Sequence, residues 1–319
     1  MKKLELIVIS ILSLVTSCCL HAQPNIIFDT DMGSDCDDAG ALAMLHKLAD
    51  KGEVNILGVM FSSGKNKYGI GVCDAINTYY GRGDLPLGQY KDNDIGDTGN
   101  TYSIDIAKNI TKYHHNIIDS AEEIVAAYKQ LLEKQPNGTV TILTVGHPYA
   151  LYLLMQDKKG MALVKKKVKQ WIAMTYTDTL PKRDWNFGKN GIQPYITPLL
   201  KQWNKPFYIS SYGGTVLTGN KKLPLVAENN PVKQAYRLWK NKLVDGRPSW
   251  DQVTVLYAAR PALFKTDSMG SLVQDNFYQT HWDTSITNKN HHKVVPIISN
   301  DELVTIIEDL MTELPSIKK

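Results

Sequence analysis

Five carboxylates lie within ten residues near the start of the chain, in the segment Asp29-Thr30-Asp31-Met32-Gly33-Ser34-Asp35-Cys36-Asp37-Asp38. This segment, called the acidic loop below, directly follows the apolar run at residues 25–28, which is typical of a buried strand. So much negative charge at the end of a buried strand is costly unless a cation compensates it. Ligands that are all oxygen favour Ca²⁺ or Mg²⁺ over zinc, and Gly33 would permit a tight turn that folds both ends of the loop toward one centre. The acidic loop therefore predicts a divalent cation site.

Other kinds of site could also contain such a loop. A calcium-binding EF-hand does not fit, because the fifth position counted from Asp29 is Gly33 and the sixth is Ser34. Residues 26–31 do match the start of an aspartyl phosphatase, in which an apolar strand ends in Asp-x-Asp. The continuation differs, because an Asp-rich run follows and the chain has no convincing later Lys and Gly-Asp partners. A solvated acidic turn is disfavoured, because the loop begins inside an apolar strand.

At this loop the chain resembles the nucleoside hydrolases of the inosine–uridine-preferring family. Their signature is an apolar strand, Asp-x-Asp, a glycine-containing turn and Asp-Asp-Ala opening a helix. The corresponding residues are Asp29, Asp31, Gly33 and Asp37-Asp38-Ala39. The resemblance implies that Asp31 and Asp38 bind calcium, that Asp31 is also the general base, and that Asp37 holds the ribose hydroxyls. The turn is longer than in the simplest members, which leaves Asp35 as an extra carboxylate without an assigned role.

Two segments in the middle of the chain extend the resemblance. Residues 141–150 resemble the strand and turn from which the family supplies a backbone carbonyl to the metal, and alignment of this segment assigns that carbonyl to Val145. Asp184-Trp185-Asn186-Phe187 resembles the ribose-binding segment of the family, with Asp in place of the more usual Glu. The resemblance implies that Asp184 and Asn186 contact the sugar. Taken alone, the two segments are equally compatible with a plain buried strand and an exposed polar loop.

Arg247-Pro248-Ser249-Trp250-Asp251, just before a predicted helix, resembles the segment that supplies the last metal carboxylate, here Asp251. By itself Asp251 would sooner be read as a helix N-cap, and the acidic loop shifts the interpretation to a metal ligand. Many family members have a His directly before this Asp, positioned to protonate the leaving base, whereas this chain has Trp250. An indole cannot deliver a proton to the base, but its flat ring can stack on one. Trp250 is therefore either a substrate-binding residue or a side chain that packs inward.

Two further departures from the family concern sugar binding. The Gly-Asn usually found after the second strand is replaced by Ser62-Ser63-Gly64-Lys65-Asn66, and Asp178 lies near the position of an expected Asn. The chemistry that the resemblance implies is hydrolysis of a ribose C1′–N bond through an oxocarbenium-like transition state. Asp37 would stabilise the developing positive charge, and Asp31 would deprotonate a calcium-bound water.

Short apolar strands alternate with helices along the chain, which predicts an α/β fold with an open, mostly parallel sheet covered by helices on both faces. Such sheets bind ligands at the carboxyl ends of their strands, where the acidic loop lies. The predicted strands are residues 25–28, 54–61, 85–87, 139–145, 168–175 and 206–211. The predicted helices are residues 39–51, 71–81, 120–135, 148–156, 231–243, 252–259 and 301–314. Residues 89–116 are predicted to be a long loop, and residues 267–296 irregular β structure.

The first 22 residues are typical of an export signal, because the basic start Lys2-Lys3 precedes an apolar run at residues 6–15 that is too short to span a membrane. Cleavage is predicted near Ala22. Lipoprotein processing, with a lipid anchor at Cys18, is the alternative, since small residues precede that cysteine. In both cases the protein leaves the cytoplasm for the periplasm or the extracellular space. Residues 23–319 are predicted to form a single domain.

The composition excludes several classes of protein. Apolar residues make up 43% of the chain and charged residues 21%, which is typical of a folded globular protein. A formal net charge of +4 is too mild to indicate nucleic-acid binding, and the basic run at residues 165–169 is read as a solvated helix end. No later segment is apolar enough for a membrane span. Cys36 and Cys73 are predicted to be separate buried thiols rather than a disulfide framework.

The residues thus favour one function over two alternatives. The leading interpretation is a calcium-dependent hydrolase that converts small-molecule ribonucleosides, or related N-ribosides, to ribose and free base. An exported protein that binds calcium and a nucleoside or sugar without turnover is the first alternative, motivated by Trp250 and the altered segment at residues 62–66. An aspartyl phosphatase is the second. The sequence leaves open whether the protein is a monomer or a homo-oligomer.

Overall fold

A computed structural model describes residues 23–316 of the chain. The predicted signal peptide, including Cys18, lies outside the described residues. The strands in chain order are β1 (Asn25–Thr30), β2 (Asn55–Phe61), β3 (Leu87–Gln89), β4 (Glu122–Glu123), β5 (Val140–Thr144), β6 (Val168–Met174), β7 (Phe207–Ser210), β8 (Leu217–Thr218), β9 (Arg247–Pro248), β10 (Phe264–Asp267), β11 (Ser271–Gln274), β12 (Thr280–Asp283) and β13 (His291–Pro296). The helices are α1 (Asp37–Asp50), α2 (Gly69–Tyr79), α3 (Ser103–Lys108), α4 (Ile110–Tyr113), α5 (Ile124–Glu133), α6 (Tyr149–Gln156), α7 (Lys158–Lys167), α8 (Trp185–Gly188), α9 (Gln193–Gln202), α10 (Pro231–Leu238), α11 (Lys242–Asp245), α12 (Trp250–Ala259) and α13 (Asn300–Thr312).

Nine of the strands form one sheet in the order β10-β13-β7-β6-β5-β1-β2-β3-β4. The edge pair β10–β13 is antiparallel, and every other neighbouring pair in this sheet is parallel. Side chains of β1 alternate between two cores: Ile26 and Phe28 pack with α1, α2, α12 and α13, whereas Ile27 packs with α5, α6, α7 and α9. Helices therefore cover both faces of a mostly parallel sheet, which confirms the predicted fold class.

Strand β1 lies at the centre of the sheet, between β5 and β2. Strand β2 is added on one side of β1, and the later strand β5 is added on its other side. The direction in which successive strands are added to the sheet therefore reverses at β1. In open α/β sheets, ligands bind at such a reversal, in the crevice outside the carboxyl ends of the strands. The acidic loop leaves β1 at this end of the sheet.

Helix α1 is enclosed by protein along most of its length. Every residue from Asp37 to Leu48 is buried, and the helix packs against α2, α10, α12 and α13. This burial explains why its sequence is rich in Ala, Leu and Met and has no polar face. Because α1 begins with Asp37 and Asp38, it fixes two carboxylates of the acidic loop to the protein core.

The structure corrects several of the local predictions. Residues 89–116 contain the short helices α3 and α4 rather than one long loop. The predicted helix at 231–243 ends at Leu238, because Lys240 and Asn241 adopt left-handed backbone conformations with φ of 53° and 51°. Residues 267–296 contain a regular antiparallel pair, β11–β12, and β13 joins the main sheet. Only the basic end of α7 was predicted, and α9 was not predicted.

Of two predictions from composition, one is confirmed fully and one in part. Cys36 and Cys73 are free and buried. Of the basic run at residues 165–169, Lys165, Lys166 and Lys167 form the last turn of α7, whereas Lys169 lies in β6. Within residues 23–316, no helix combines the length and the apolar character that crossing a membrane requires.

Candidate active site

A cleft of about 600 Å³ opens at the carboxyl ends of β1, β5 and β6. Its floor is the acidic loop with the start of α1, and its walls come from residues 174–189 and 239–251. All residues to which the sequence assigned a site role line this one cleft. They are Asp31, Asp37, Asp38, Val145, Asp184, Asn186, Trp250 and Asp251. Segments that are distant in the chain therefore meet where the sequence predicts a ligand site, while the chemical role of each residue stays a prediction.

Three carboxylates converge at the floor of the cleft. One oxygen each from Asp35, Asp38 and Asp251 can be chosen so that all three lie within 4.8 Å of one another. Asp38 and Asp251 stand in the first turns of α1 and α12. Asp251 is not the N-cap of its helix, since Ser249 occupies that position. Asp251 is only 3% exposed and its Oδ1 atom has no hydrogen-bond partner. A buried carboxylate oxygen without a donor fits a cation ligand.

The electrostatics of these carboxylates lead to the same inference. Burial raises the pKa of Asp251 well above its ordinary value, and the neighbouring charges of Asp37 and Asp38 raise it further. Burial likewise raises the pKa of Asp38, with added repulsion from Asp31 and Asp37. Carboxylates in this setting cannot all be ionised near neutral pH unless positive charge is supplied. Oxygen-only donors suit a hard divalent ion.

Asp31 lies beside this group but is not part of it. The sequence predicted Asp31 as a ligand together with Asp38 and Asp251. The cluster of mutually close carboxylates instead contains Asp35, to which the sequence gave no role. Asp31 is buried; its Oδ2 accepts a hydrogen bond from Ser34 Oγ at 3.2 Å and lies 3.4 Å from His147 Nε2. Burial raises the pKa of Asp31, whereas the neighbouring His147 lowers it. Asp31 is thus a cleft carboxylate set next to the candidate cation position.

Arg247 is a part of the site that the sequence analysis quoted without assigning a role. Its Nη2 donates to Asp35 Oδ2 at 2.6 Å and its Nε to Asp37 Oδ1 at 2.8 Å. The guanidinium carbon lies 4.6 Å from the ring centre of Trp239 and 4.9 Å from that of Trp250. Arg247 therefore supplies positive charge to two of the carboxylates and packs on two aromatic rings. Trp250 is partly exposed and lines the cleft rather than packing inward.

The predicted sugar-binding residues of the wall already have protein partners. Asn186 Nδ2 donates to the carbonyl oxygen of Val145 at 2.5 Å, which is the carbonyl predicted to face the metal. Asp184 is the N-cap of α8 and accepts from the backbone nitrogens of Asn186 and Phe187, both at 2.9 Å. Thr175 Oγ1 donates to the same carboxylate at 2.7 Å. A carboxylate has about four acceptor sites, so Asp184 retains capacity for a ligand.

Two glycines allow the backbone segments around Asp31 to approach each other. A Cβ atom at Gly146 would lie 2.3 Å from the backbone nitrogen of Asp31, so a larger residue after β5 would push the two loops apart. Gly33 has φ of +109°, a conformation that favours glycine. A Cβ atom there would lie 2.3 Å from Ser103 Oγ and 2.4 Å from Asn66 Nδ2. The predicted tight turn at Gly33 is confirmed.

Residues that depart from the family pattern support the acidic loop from outside the cleft. Asp29 does not line the cleft; Ser62 Oγ donates to its carboxylate, and Tyr128 OH donates to its Oδ2 atom at 2.6 Å. Burial raises the pKa of Asp29 to about 7. Asn66 Nδ2 donates to Gly99 O at 2.9 Å and to Ser103 Oγ at 3.0 Å. The altered segment at residues 62–66 thus holds the loop in place, and neither it nor Asp178 lines the cleft.

The mouth of the cleft carries further aromatic and basic side chains, and of these the sequence assigned a site role only to Trp250. The aromatic residues are Tyr176, Trp185, Trp239 and Trp250. The basic residues other than Arg247 are Lys182, Arg183, Lys189 and Lys240. The residues other than Trp185 and Trp250 follow no short motif; they come from the segments after β6 and after α10.

Solved structures share this fold. An inosine–uridine preferring nucleoside hydrolase from Bacillus anthracis has 14% sequence identity and a TM-score of 0.67, with 91% of this chain and 99% of that chain covered. A purine-preferring ribonucleoside hydrolase from Gardnerella vaginalis has 15% identity, the same TM-score of 0.67 and the same coverage of 91% and 99%.

The type III effector protein XopQ, in a structure complexed with adenosine diphosphate ribose, has 13% identity and a TM-score of 0.65, with 92% and 95% of the two chains covered. No protein-family model and no curated protein sequence matches the chain. These comparisons establish a nucleoside hydrolase-like fold.

Proposed function

We propose that this protein hydrolyses the N-glycosidic bond of ribosides, with a calcium ion held at the floor of the cleft, after export from the cytoplasm. The observation that carries the proposal is the convergence of Asp38 and Asp251 from two helix starts, with one Asp251 oxygen buried and unpartnered. The convergence occurs beside β1, in a fold shared with nucleoside hydrolases.

The residues present fit a calcium site. Asp35, Asp38 and Asp251 would hold the ion, and Asp31 and the Val145 carbonyl line the cleft with them. A bound divalent ion would acidify a water molecule in the cleft. The all-oxygen donor set favours Ca²⁺ or Mg²⁺ over zinc, and the family resemblance selects Ca²⁺ between the two. The unpartnered Asp251 oxygen supports a bound cation independently of the family resemblance.

The protein's own groups account for the remaining chemistry. Asp31 is assigned as the base that accepts the water proton, because it is buried in the cleft next to the cation position. Asp37 and Asp184 face the cleft with carboxylates that can orient sugar hydroxyls and stabilise positive charge on the ribose ring. The oxygen of water bonds to C1′ as the C1′–N bond breaks. The electron pair of the broken C1′–N bond leaves with the nitrogen of the base. Trp250 is assigned to stack on that base.

The deciding experiment is chromatography of the base and ribose released from a panel of nucleosides, with and without a chelator. We expect release that a chelator stops and added Ca²⁺ restores. Asp251→Asn should stop it as well, whereas Asp245→Asn, which changes an exposed aspartate paired only with Lys242, should not. Hydrolysis that persists unchanged in chelator and in Asp251→Asn would refute the calcium-dependent mechanism.

A binding protein without turnover is the second candidate. Arg247 already pairs with Asp35 and Asp37, so the floor of the cleft is partly neutralised before any cation binds. XopQ, an effector with the same fold, was solved in complex with a riboside ligand. Calorimetric binding of a nucleoside with no product after long incubation would select this candidate, and phosphate release with Mg²⁺ would select the phosphatase instead.

A further inference from the structure

We infer that the riboside taken by this site carries phosphate, and that Lys182, Lys189 and Lys240 bind it at the mouth of the cleft. The inference rests on the proposed function, which it deepens by naming the substrate class as nucleotides. These three lysines are called the basic rim below. All three are exposed and line the cleft.

The basic rim is built from lysines that lie over aromatic rings. Lys182 lies 5.2 Å from the ring centre of Tyr176, and Lys189 lies 5.4 Å from that of Trp185. Lys240 lies 4.7 Å from the ring centre of Trp239. All three rings also line the cleft. Each ammonium group is therefore held beside an aromatic face at the opening, where it can meet an anionic group of a ligand.

Within residues 23–316, no carboxylate lies within ion-pair distance of the rim lysines. Arg183 is likewise without an ion pair in the described part of the chain; its Nε donates to the carbonyl of Phe277 at 2.9 Å. In contrast, Arg247 deeper in the cleft is committed to Asp35 and Asp37. Positive charge at the mouth is thus available to a ligand.

The cleft consequently has two regions of opposite charge. Carboxylates dominate the floor, and the rim is basic. A neutral nucleoside offers nothing that an unpaired ammonium group prefers over water. A nucleotide offers a phosphate group, which the basic rim attracts and the acidic floor repels. Binding of the phosphate at the rim would place the sugar toward the acidic floor. Hydrolysis then releases the base and ribose 5-phosphate, and the phosphate ester is not broken.

The test compares inosine 5′-monophosphate with inosine. We expect kcat/KM of the wild-type protein to favour the nucleotide by about tenfold or more at low salt, because charge-assisted contacts are realised only with phosphate. The preference should decline as NaCl is added, since the rim is exposed. In Lys182→Met/Lys189→Met/Lys240→Met, the ratio of the two kcat/KM values should fall by about tenfold or more.

A matched control removes three lysines that are exposed, lie outside the cleft and have no ion pair within residues 23–316. That variant is Lys134→Met/Lys158→Met/Lys201→Met, and it should keep the wild-type ratio. Equal kcat/KM values of the wild type for both substrates would overturn the inference. A rim variant that keeps the wild-type ratio would overturn it as well.

A calorimetric measurement separates this inference from the proposed function. Inosine 5′-monophosphate should bind more tightly than inosine to the wild type, and the difference should shrink in the rim variant. If neither compound is hydrolysed, the proposed function fails, and the binding difference still tests the rim. If both bind equally to the wild type, the inference fails whatever the activity.

Discussion

Nε2 of His147 lies 3.4 Å from Oδ2 of Asp31, with both side chains closed off from solvent. The other ring nitrogen of His147 faces the carbonyl of Asn186 at 3.3 Å, and Asn190 Nδ2 lies 3.2 Å from Nε2. This contact places a titratable ring directly against the proposed base. It also links the base to the wall segment that carries Asp184 and Asn186.

Asp31→Asn should lower the rate of hydrolysis of a nitrophenyl riboside by about 10²–10⁴-fold, because an amide cannot accept the water proton. Calcium binding should persist, since Asp35, Asp38 and Asp251 are unchanged. Steady-state kinetics and calorimetry measure the two effects. Asp105→Asn, at an exposed position outside the cleft, is the control. Substantial residual activity would refute the role of Asp31 as the base.

His147→Gln should shift the acid limb of the pH–rate profile to higher pH. Burial raises the pKa of Asp31 and the neighbouring His147 lowers it, so loss of the imidazole leaves Asp31 with a higher pKa. A base with a higher pKa stays protonated up to a higher pH, so the rise in activity is shifted to higher pH. The profile of kcat/KM against pH measures this shift. An unchanged or lowered acid limb would show that His147 does not tune the base.

Asp251→Asn should weaken calcium binding by about tenfold or more, because it removes a buried ligand oxygen that has no other partner. Isothermal titration with Ca²⁺ measures the loss. The amide is nearly the same size as the carboxylate, and removal of a buried like charge should leave the calcium-free fold as stable as the wild type or more so. Wild-type affinity in this variant would exclude Asp251 as a ligand.

Without a cation, the protein should become less stable as pH rises above the ordinary carboxylate pKa of about 4. The folded-state pKa values of Asp38 and Asp251 are raised by burial, so the folded protein binds more protons than the unfolded chain above the ordinary carboxylate pKa. Stability therefore falls as pH rises through the folded-state pKa values. Calcium should restore more stability at pH 8 than at pH 5, by about 5 °C or more in Tm. Thermal melts in chelator and in excess Ca²⁺ at both pH values measure this; a pH-independent calcium effect would contradict it.

Trp250→Ala should reduce hydrolysis of purine ribosides more than hydrolysis of a riboside with an activated leaving group, because only the former needs help from stacking. Trp239→Ala serves as the control, since both rings contact the guanidinium of Arg247. If Trp250 stacks on the base, the selective loss for purine ribosides should appear only in Trp250→Ala. If the two rings act only by holding the guanidinium of Arg247 in place, both variants should lose activity in the same way. Equal losses for both kinds of substrate would argue against stacking by Trp250.

The sequence was most informative where local pattern and fold rules coincide. A buried strand followed by five aspartates must place them at the carboxyl end of a parallel sheet, and Gly33 marks the turn. Asp251 was different, because no local signal connects it to the acidic loop. Only the family resemblance connected them, and the packing of α1 against α12 now explains their proximity.

The remaining features depend on contacts between distant segments. Asp35 joins the carboxylate cluster and Arg247 pairs with it through loop geometry that no pattern encodes. The basic rim consists of exposed lysines, which look like any solvated lysines until the fold brings them around one opening. The start of α7 was missed because only Gly160 and Val164 of this helix are buried and give little apolar periodicity, and α9 was missed because it contains Pro198.

Enclosure of α1 by its neighbouring helices limits which substitutions the floor of the cleft can accept. Asp37 and Asp38 are anchored in a helix that is buried from Asp37 to Leu48, so substitutions that move them would disturb the core. The three lysines at the opening are exposed and lie outside the helices. Ligand preference can therefore diverge by exchange of these peripheral side chains while the bond-breaking machinery is inherited intact, and an engineer could retarget the protein in the same way.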